Sequence, residues 1–371
     1  MYITSLSLTS FRNYASLTFE PSERLNVLVG RNAQGKSAIL EAIYLLATSK
    51  SHRTSRDMEM VKLGAPFARV VAEIKRSARN DVTLEIDLSK AEKKTVKINT
   101  VKHAKIRDLI GQLNAVIFSD SDVEMVRGEP SGRRRLLNLE ICQVSPQYAY
   151  ALARYNRVLE QRNELLKDIK SGRAPALTLG EWERQLAGYG ATVITKRMEF
   201  LQSLAKSAAE IYGVLTEGYE RLEVSYRPNV QLNGARSVDE IAACITGALA
   251  ARREIDIARG TTTAGPHRDD VSISVNALPA REFGSGGQQR TAAIAIKLAE
   301  IELLREAAGE NPVVLLDDIM AELDGSRRER VLDRTAGCQA FLTTTDLSDI
   351  SGGILENAAV FEVEAGKVKR R

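Results

Sequence analysis

The chain has 371 residues, 44% hydrophobic and 27% charged, with a formal net charge of +4. That length supports one large globular domain or two moderate ones, and the mild basic excess suits a nucleic-acid binder and many unrelated proteins alike. Three cysteines without a CxxC pair argue against a disulfide framework or zinc site and for a reducing cytoplasm, and neither a secretory signal nor an apolar run of about 18 residues is present.

Residues 2–9 alternate at Tyr2, Leu6 and Leu8, which predicts a strand. Residues 16–20 and 25–29 continue the pattern, and Asn26-Val27-Leu28-Val29 reads as a buried strand. Gly30-Arg31-Asn32-Ala33-Gln34-Gly35-Lys36-Ser37 follows it and leads into a helix over Ala38–Ala47. This is GxxxxGK[ST] in its required strand–loop–helix context. The glycines let backbone N–H groups wrap phosphate, and the helix dipole adds to the anion site. Lys36 is expected to reach the β and γ phosphates of ATP and Ser37 to hold Mg²⁺.

Residues 68–75, 82–89 and 95–99 predict antiparallel strands, clearest at Val82, Leu84, Ile86 and Leu88, and 114–118 another. From about 121 the chain turns helical over 131–142, 146–170 and 181–216. Ser171-Gly172-Arg173-Ala174-Pro175 breaks the two long stretches into a hairpin. Strand pattern returns near 222–226 and 270–275, then a helix over 286–306 and strands at 312–317 and 339–343. Lys367-Val368-Lys369-Arg370-Arg371 reads as a solvated tail.

Val313-Val314-Leu315-Leu316 ends in Asp317-Asp318, as a buried parallel strand of a nucleotide-binding sheet does. Asp317 is expected to hold Mg²⁺ through water and Asp318 to polarise the attacking water. The phosphate loop is N-terminal and this strand C-terminal, yet both must meet in one site. The helical middle is therefore an insertion. The expected division is a discontinuous α/β core, 1–120 with 260–371, and an inserted lobe, 121–259. Gly284-Ser285-Gly286-Gly287-Gln288-Gln289-Arg290 opens the 286–306 helix and makes a second anion site. One nucleotide does not easily fill both sites of one subunit; two subunits head to tail sandwich it.

These segments resemble those of the ABC-type ATPases, whose signature is LSGGQ, and most closely the RecF family, related to SMC and Rad50 heads. The shared stretches are Phe11-Arg12-Asn13-Tyr14, the phosphate loop, Ser51-His52-Arg53-Thr54, Gly265-Pro266-His267-Arg268-Asp269-Asp270, the signature segment, and Asp317-Asp318 with Glu322-Leu323-Asp324. The resemblance implies an ABC-type ATPase head, a phosphate-loop mixed sheet with an antiparallel β subdomain, carrying a helical lobe. It implies ATP and Mg²⁺ as cofactors, an ATP-dependent homodimer, duplex DNA with a gap or junction as partner, a RecR mediator as a second partner, and slow DNA-stimulated hydrolysis in recombinational repair. It implies that Arg12 lies near the phosphates. Ser285 and Gly287, with Gly286 and Gln288, are then expected to face the γ-phosphate of the partner subunit. Asp324 is expected at the dimer interface, and Ser119-Asp120-Ser121-Asp122 takes the place of the Q-loop.

The chain departs from the pattern in three places. Asp317-Asp318 replaces Asp-Glu. Gly284 replaces the signature leucine. Thr343-Thr344-Thr345-Asp346 stands where a switch histidine is expected, so that role passes to a threonine or to Asp346. His52 and His267 have no metal-ligand spacing to a second ligand. Arg133-Arg134-Arg135 is the leading candidate for duplex-backbone contact, then Lys93, Lys94 and Lys97, with Lys102, His103, Lys105 and Arg107 nearby and Arg327, Arg328 and Arg330 further on. A soluble transporter subunit would usually keep the switch histidine and lack the insertion. A phosphate-loop kinase would not need the Ser285 segment.

Overall fold

A computed structural model describes residues 1–103, 108–319, 325–350 and 352–371. The chain starts with β1 (Tyr2–Phe11), β2 (Tyr14–Phe19) and β3 (Leu25–Val29), then α1 (Lys36–Thr48). β4 (Phe67–Lys75), β5 (Val82–Ser89), β6 (Thr95–Ile98), β7 (Val101–His103) and β8 (Ala115–Phe118) follow. Alternation in β5 buries Val82, Leu84, Ile86 and Leu88 on one face, so one side of its sheet is core and the other wet.

The middle is α2 (Val123–Arg127), α3 (Pro130–Val144), α4 (Pro146–Lys170) and α5 (Leu179–Leu215). Then come β9 (Leu222–Arg227), α6 (Val238–Ala251), α7 (Arg253–Arg259), β10 (Asp270–Val275), β11 (Leu278–Pro279) and α8 (Ala280–Phe283). The chain returns through α9 (Gly286–Ala308), β12 (Val313–Leu316), α10 (Gly325–Arg334), β13 (Ala340–Thr344), α11 (Gly352–Leu355), β14 (Ala359–Glu364) and β15 (Lys367–Arg370).

Two compact units result: Met1–Asp122 with Ile294–Arg371, and Val123–Ala293. The exit near residue 120 lies close to that division. The return does not fall at 260 but inside α9. β10 pairs antiparallel with β9 along its length, which ties residues 270–275 to the inserted unit.

In the first unit β2-β1-β4-β5-β6-β7 is antiparallel throughout. The second sheet runs β15-β14-β3-β13-β12-β8, parallel from β14 to β8. α1 touches strands of both sheets and buries all but one of its thirteen residues, so it reads as apolar on every face. The predicted C-terminal tail is a strand instead: β15 pairs antiparallel with β14 from Glu364↔Lys367 to Phe361↔Arg370. Val368 lies against the core, while the lysines and arginines on either side hide the period-two signal.

The inserted unit is built on the α4–α5 hairpin with α6 against it. Tyr155, Leu186, Ile194, Ile241 and Ile245 form its core. α6 was not anticipated from the sequence, although Ser237 and Glu240 form a complete capping box at its start.

Candidate functional site

The phosphate loop joins β3 to α1 at the C-terminal edge of the parallel sheet, where open α/β sheets bind ligands. Two glycines are required by geometry. A Cβ on Gly30 would lie 2.2 Å from the Val363 carbonyl oxygen, and Gly35 has φ 121° with a Cβ 2.7 Å from Asn13 Nδ2 and Tyr14 OH. The loop is clasped on two sides. Asn13 Nδ2 donates to Gln34 O at 2.8 Å and Tyr14 OH to Gly35 O at 3.2 Å. From the β14–β15 turn, Ala365 N donates to Gln34 Oε1 at 2.7 Å. The segment expected to be a tail therefore shapes the phosphate cradle.

Lys36 Nζ donates to Gly30 O at 2.6 Å and Arg31 O at 3.1 Å. Burial pulls its ammonium below the ordinary lysine range, and the nearby carboxylates of Asp318 and Asp317 oppose that pull. Its partners are backbone carbonyls, which phosphate oxygens can replace without leaving a buried carboxylate unpaired. Arg31, Asn32 and Ala33 are exposed, and Ala33 is left-handed at φ 63°.

Ser37 Oγ donates to Asp317 Oδ1 at 2.8 Å. Burial raises the Asp317 carboxyl above its usual range, so a cation there would relieve a real desolvation cost. Among the described residues no group of three or more His, Cys, Asp or Glu could hold a metal. A hydroxyl and one carboxylate fit Mg²⁺, which keeps waters and takes substrate phosphate oxygens.

β13 lies between β3 and β12, and its Thr343 organises the aspartates. Thr343 Oγ1 donates to Asp317 Oδ1 at 2.9 Å and accepts from Asp318 N at 2.9 Å. Asp318 is left-handed at φ 53°, a costly conformation for a non-glycine residue. Of the four residues standing in for the switch histidine, Thr343 touches the aspartates. Asp346 instead accepts from Ser348 N at 2.9 Å, and that backbone contact holds its carboxyl low.

Arg12 lines the same cleft, which encloses about 860 Å³ and also presents Lys36, Ser37, Arg53, Met58, Leu63 and Asp318. Its guanidinium is committed: Nε and Nη2 grip the Glu41 carboxylate at 2.7 and 2.5 Å, and Nη1 donates to Glu59 O at 2.7 Å. Burial alone would push the Glu41 carboxyl up. Hydrogen bonds from Arg12 and Ser51, with the Arg12 charge, outweigh it and hold it down. Glu41 thus anchors two of the shared segments, and Arg53 Nη1 lies 3.8 Å from it. His52 Nε2 is 4.0 Å from Asp317 Oδ2. Sequence reasoning left Glu41 without a role. Its signal was a lone carboxylate in a helix apolar on every face.

In the inserted unit the signature loop caps itself. Ser285 N donates to Gln288 Oε1 at 2.8 Å, and Gln288 N donates to Ser285 Oγ at 3.2 Å. Among the described residues the Ser285 hydroxyl accepts this bond and donates none. Gln288 Nε2 donates to Glu220 Oε1 at 2.7 Å, and Glu220 Oε2 accepts from Tyr212 OH at 2.6 Å, in the last turn of α5. Glu220 was not anticipated.

The basic candidates fare unevenly. Arg133 is buried and grips Asp270 with Nε at 2.7 Å and Nη2 at 2.9 Å, so it cannot serve as a DNA contact. Arg134 is half-buried and donates to Asp269 O at 2.7 Å, and Arg135 is exposed. Lys94 is mostly buried against Asp57 and Ser49 O, and Lys97 is paired with Glu85 and Asp87. Lys94 and Lys97 are thus neutralised internally, while Lys93 of the same cluster is exposed. Asp324, Lys105 and Arg107 lie outside the described residues.

A parallel sheet carrying this cradle and aspartate pair, an antiparallel sheet against the same helix, and a signature loop in a helical insertion define an ABC-type ATPase head. The profile described as "RecF/RecN/SMC N terminal domain" matches residues 2–368. A DNA replication and repair protein RecF of Shouchella clausii is 41% identical over 100% of both chains. One of Acetivibrio thermocellus is 40% identical over 99% of each. A structure described as the recombination mediator protein RecF-ATP in the RecFOR pathway superposes with TM-score 0.93 at 33% identity, covering 100% of this chain and 97% of that one. A Pyrococcus furiosus Smc head domain superposes with TM-score 0.56 at 16% identity, covering 100% and 96%, and shares the fold. The chain belongs to the RecF family of DNA replication and repair proteins.

Proposed function

We propose that this chain is a cytoplasmic, ATP-switched DNA-binding protein of recombinational repair. ATP closes two copies over duplex DNA beside a single-strand gap, a RecR mediator joins them, recombinase is loaded, and slow DNA-stimulated hydrolysis opens the pair. The observation that carries this is the division of labour. Lys36, Ser37 and Asp318 line one cleft and Asp317 is bonded to Ser37, while the self-capped Ser285 loop belongs to the other unit. The helical insertion disfavours a transporter subunit.

In this scheme the loop amides and Lys36 bind the β and γ phosphates, and Ser37 and Asp317 would hold Mg²⁺. Bound Mg²⁺ neutralises charge on the phosphate oxygens during transfer. Thr343 fixes both aspartates, and Asp318 accepts a proton from the attacking water at its carboxylate. Ser285 and the amides of Gly286 and Gly287 complete the anion cage of the opposite copy.

Light scattering with ATP, ADP and no nucleotide tests closure, and only ATP should raise the mass to that of a dimer. Asp318→Asn should keep ATP binding, cut hydrolysis at least about 100-fold and trap the dimer. Ser285→Arg should keep ATP binding by the monomer and abolish dimerisation. Equal loss of ATP binding in both variants would refute the composite site.

A further inference from the structure

The turn Gly265–Asp270 is braced from several directions within the inserted unit. Arg197, 2% exposed, donates to Pro266 O at 2.7 Å and to Asp269 Oδ2 at 3.2 Å. Asp269 also accepts from Asn229 N at 2.7 Å and from Tyr226 OH. His267 Nε2 faces Thr262 O at 3.0 Å, so it donates there and Nδ1 accepts from Tyr155 OH at 2.6 Å.

The charges do not cancel. Arg133 is matched by Asp270 and Arg197 by Asp269. Among the described residues, neither Arg134 nor Arg268 has a carboxylate in salt-bridge reach. Arg134 rests on the Asp269 carbonyl, and Arg268 reaches Thr262 O only at 3.4 Å. Arg268 is exposed, its charge acts on Arg134, and Arg134 is half-buried. Arg134 feels the carboxylates of Asp270 and Asp269 as well as the cations of Arg197 and Arg268, and both guanidinium forks keep N–H groups that an oxyanion would accept.

We propose that Arg134 and Arg268 form a binding site for one backbone phosphate of duplex DNA, an assignment resting on the DNA-binding function proposed above. Arg135 is exposed at the next position of α3. None of the exposed large apolar side chains belongs to α3 or to the 265–270 turn. A rim with cations and no apolar anchor fits a polyanion backbone better than a protein partner.

The test is a salt titration of duplex binding by the full chain with ATP. Arg268→Ala and Arg134→Ala should each weaken binding about tenfold for every sequence and lower the slope of log affinity against log salt by about 1. The double variant should approach a single-variant slope, since one phosphate is shared. Arg134→Lys and Arg268→Lys should restore most of the slope. ATP binding and ATP-driven dimerisation should not change. Unchanged affinity and slope in the double variant would overturn the site and leave this face to an acidic protein partner. If the unmodified protein bound no duplex, the DNA-binding function would fail instead. The site would then rest on inorganic phosphate: a saturable shift of the Arg268 side-chain NMR signal, lost in Arg134→Ala, would sustain it, and no shift would end it.

Discussion

The phosphate cradle of the head and the core of the lobe both bury cations, but they spend them differently, although elsewhere the head also pairs buried Arg76 with Glu310. In the head, Lys36 has only carbonyl partners on its own loop, 2.6 and 3.1 Å away. Those bonds exchange readily for phosphate. In the lobe, fully buried Arg162 serves Asp256 and Thr262 at 2.8 Å and Glu183 at 2.9 Å, and Arg253 shares Glu183 at 2.6 Å. Arg197 is equally committed. The lesson is that a buried arginine with carboxylate partners is construction, while a buried cation resting on carbonyls is a site in waiting. Removing the first should cost stability and spare binding. Removing the second should do the reverse.

The largest expected effect is therefore on the lobe. Arg197→Met strands the buried Asp269 carboxylate and should destabilise the protein by about 3–5 kcal/mol in urea titrations. A change under about 1 kcal/mol would erase the distinction between the regions.

His267 gives a pH test. Burial, with the charges of Arg268 and Arg134 adding to it, holds its imidazole down at about 4. The folded value lies below the unfolded value near 6.5, so the unfolded chain binds the proton first. Stability is complete above about pH 6.5 and falls by up to about 3 kcal/mol as pH approaches 4. Asp269, raised by burial, gains a proton in the acid range and offsets part of that loss. Urea unfolding at pH 7 and pH 5 should show a smaller drop for His267→Gln than for the unmodified protein. Equal drops would exclude His267 as the cause.

Lys36→Ala should weaken ATP binding by about 2–3 kcal/mol, near 100-fold, with unfolding unchanged. Calorimetric binding and a melt on the same sample check both halves. The smallest effect is expected at the loop that links signature and lobe. Glu220→Ala frees the Gln288 amide to rotate and should slow hydrolysis by about 1 kcal/mol, near fivefold to tenfold, without altering ATP affinity. Tyr212→Phe should do less. A matching loss of ATP affinity would mean that Glu220 does more than position Gln288.

The sequence by itself determined the phosphate loop, the aspartate strand, the signature helix and the insertion. Each is a local pattern: glycine spacing, an apolar run ending in carboxylates, a helix start, and two periodic stretches broken by glycine and proline. It also placed Lys36, Ser37, Asp317, Asp318 and Ser285 in the right kinds of element. The tertiary structure decided what depends on a partner from another element. Thr343 reaches the aspartates only because β13 lies between β3 and β12. Arg12 lines the cleft with its guanidinium held by Glu41, 29 positions away. Arg133 and Lys97 look like their exposed neighbours in sequence, but Asp270 and Glu85 neutralise them. The basic C-terminal segment is a strand because β14 supplies the other half of its hydrogen bonds. Charge and propensity are written in the chain, whereas the pairing that spends a charge or completes a strand is set by which elements the fold brings side by side.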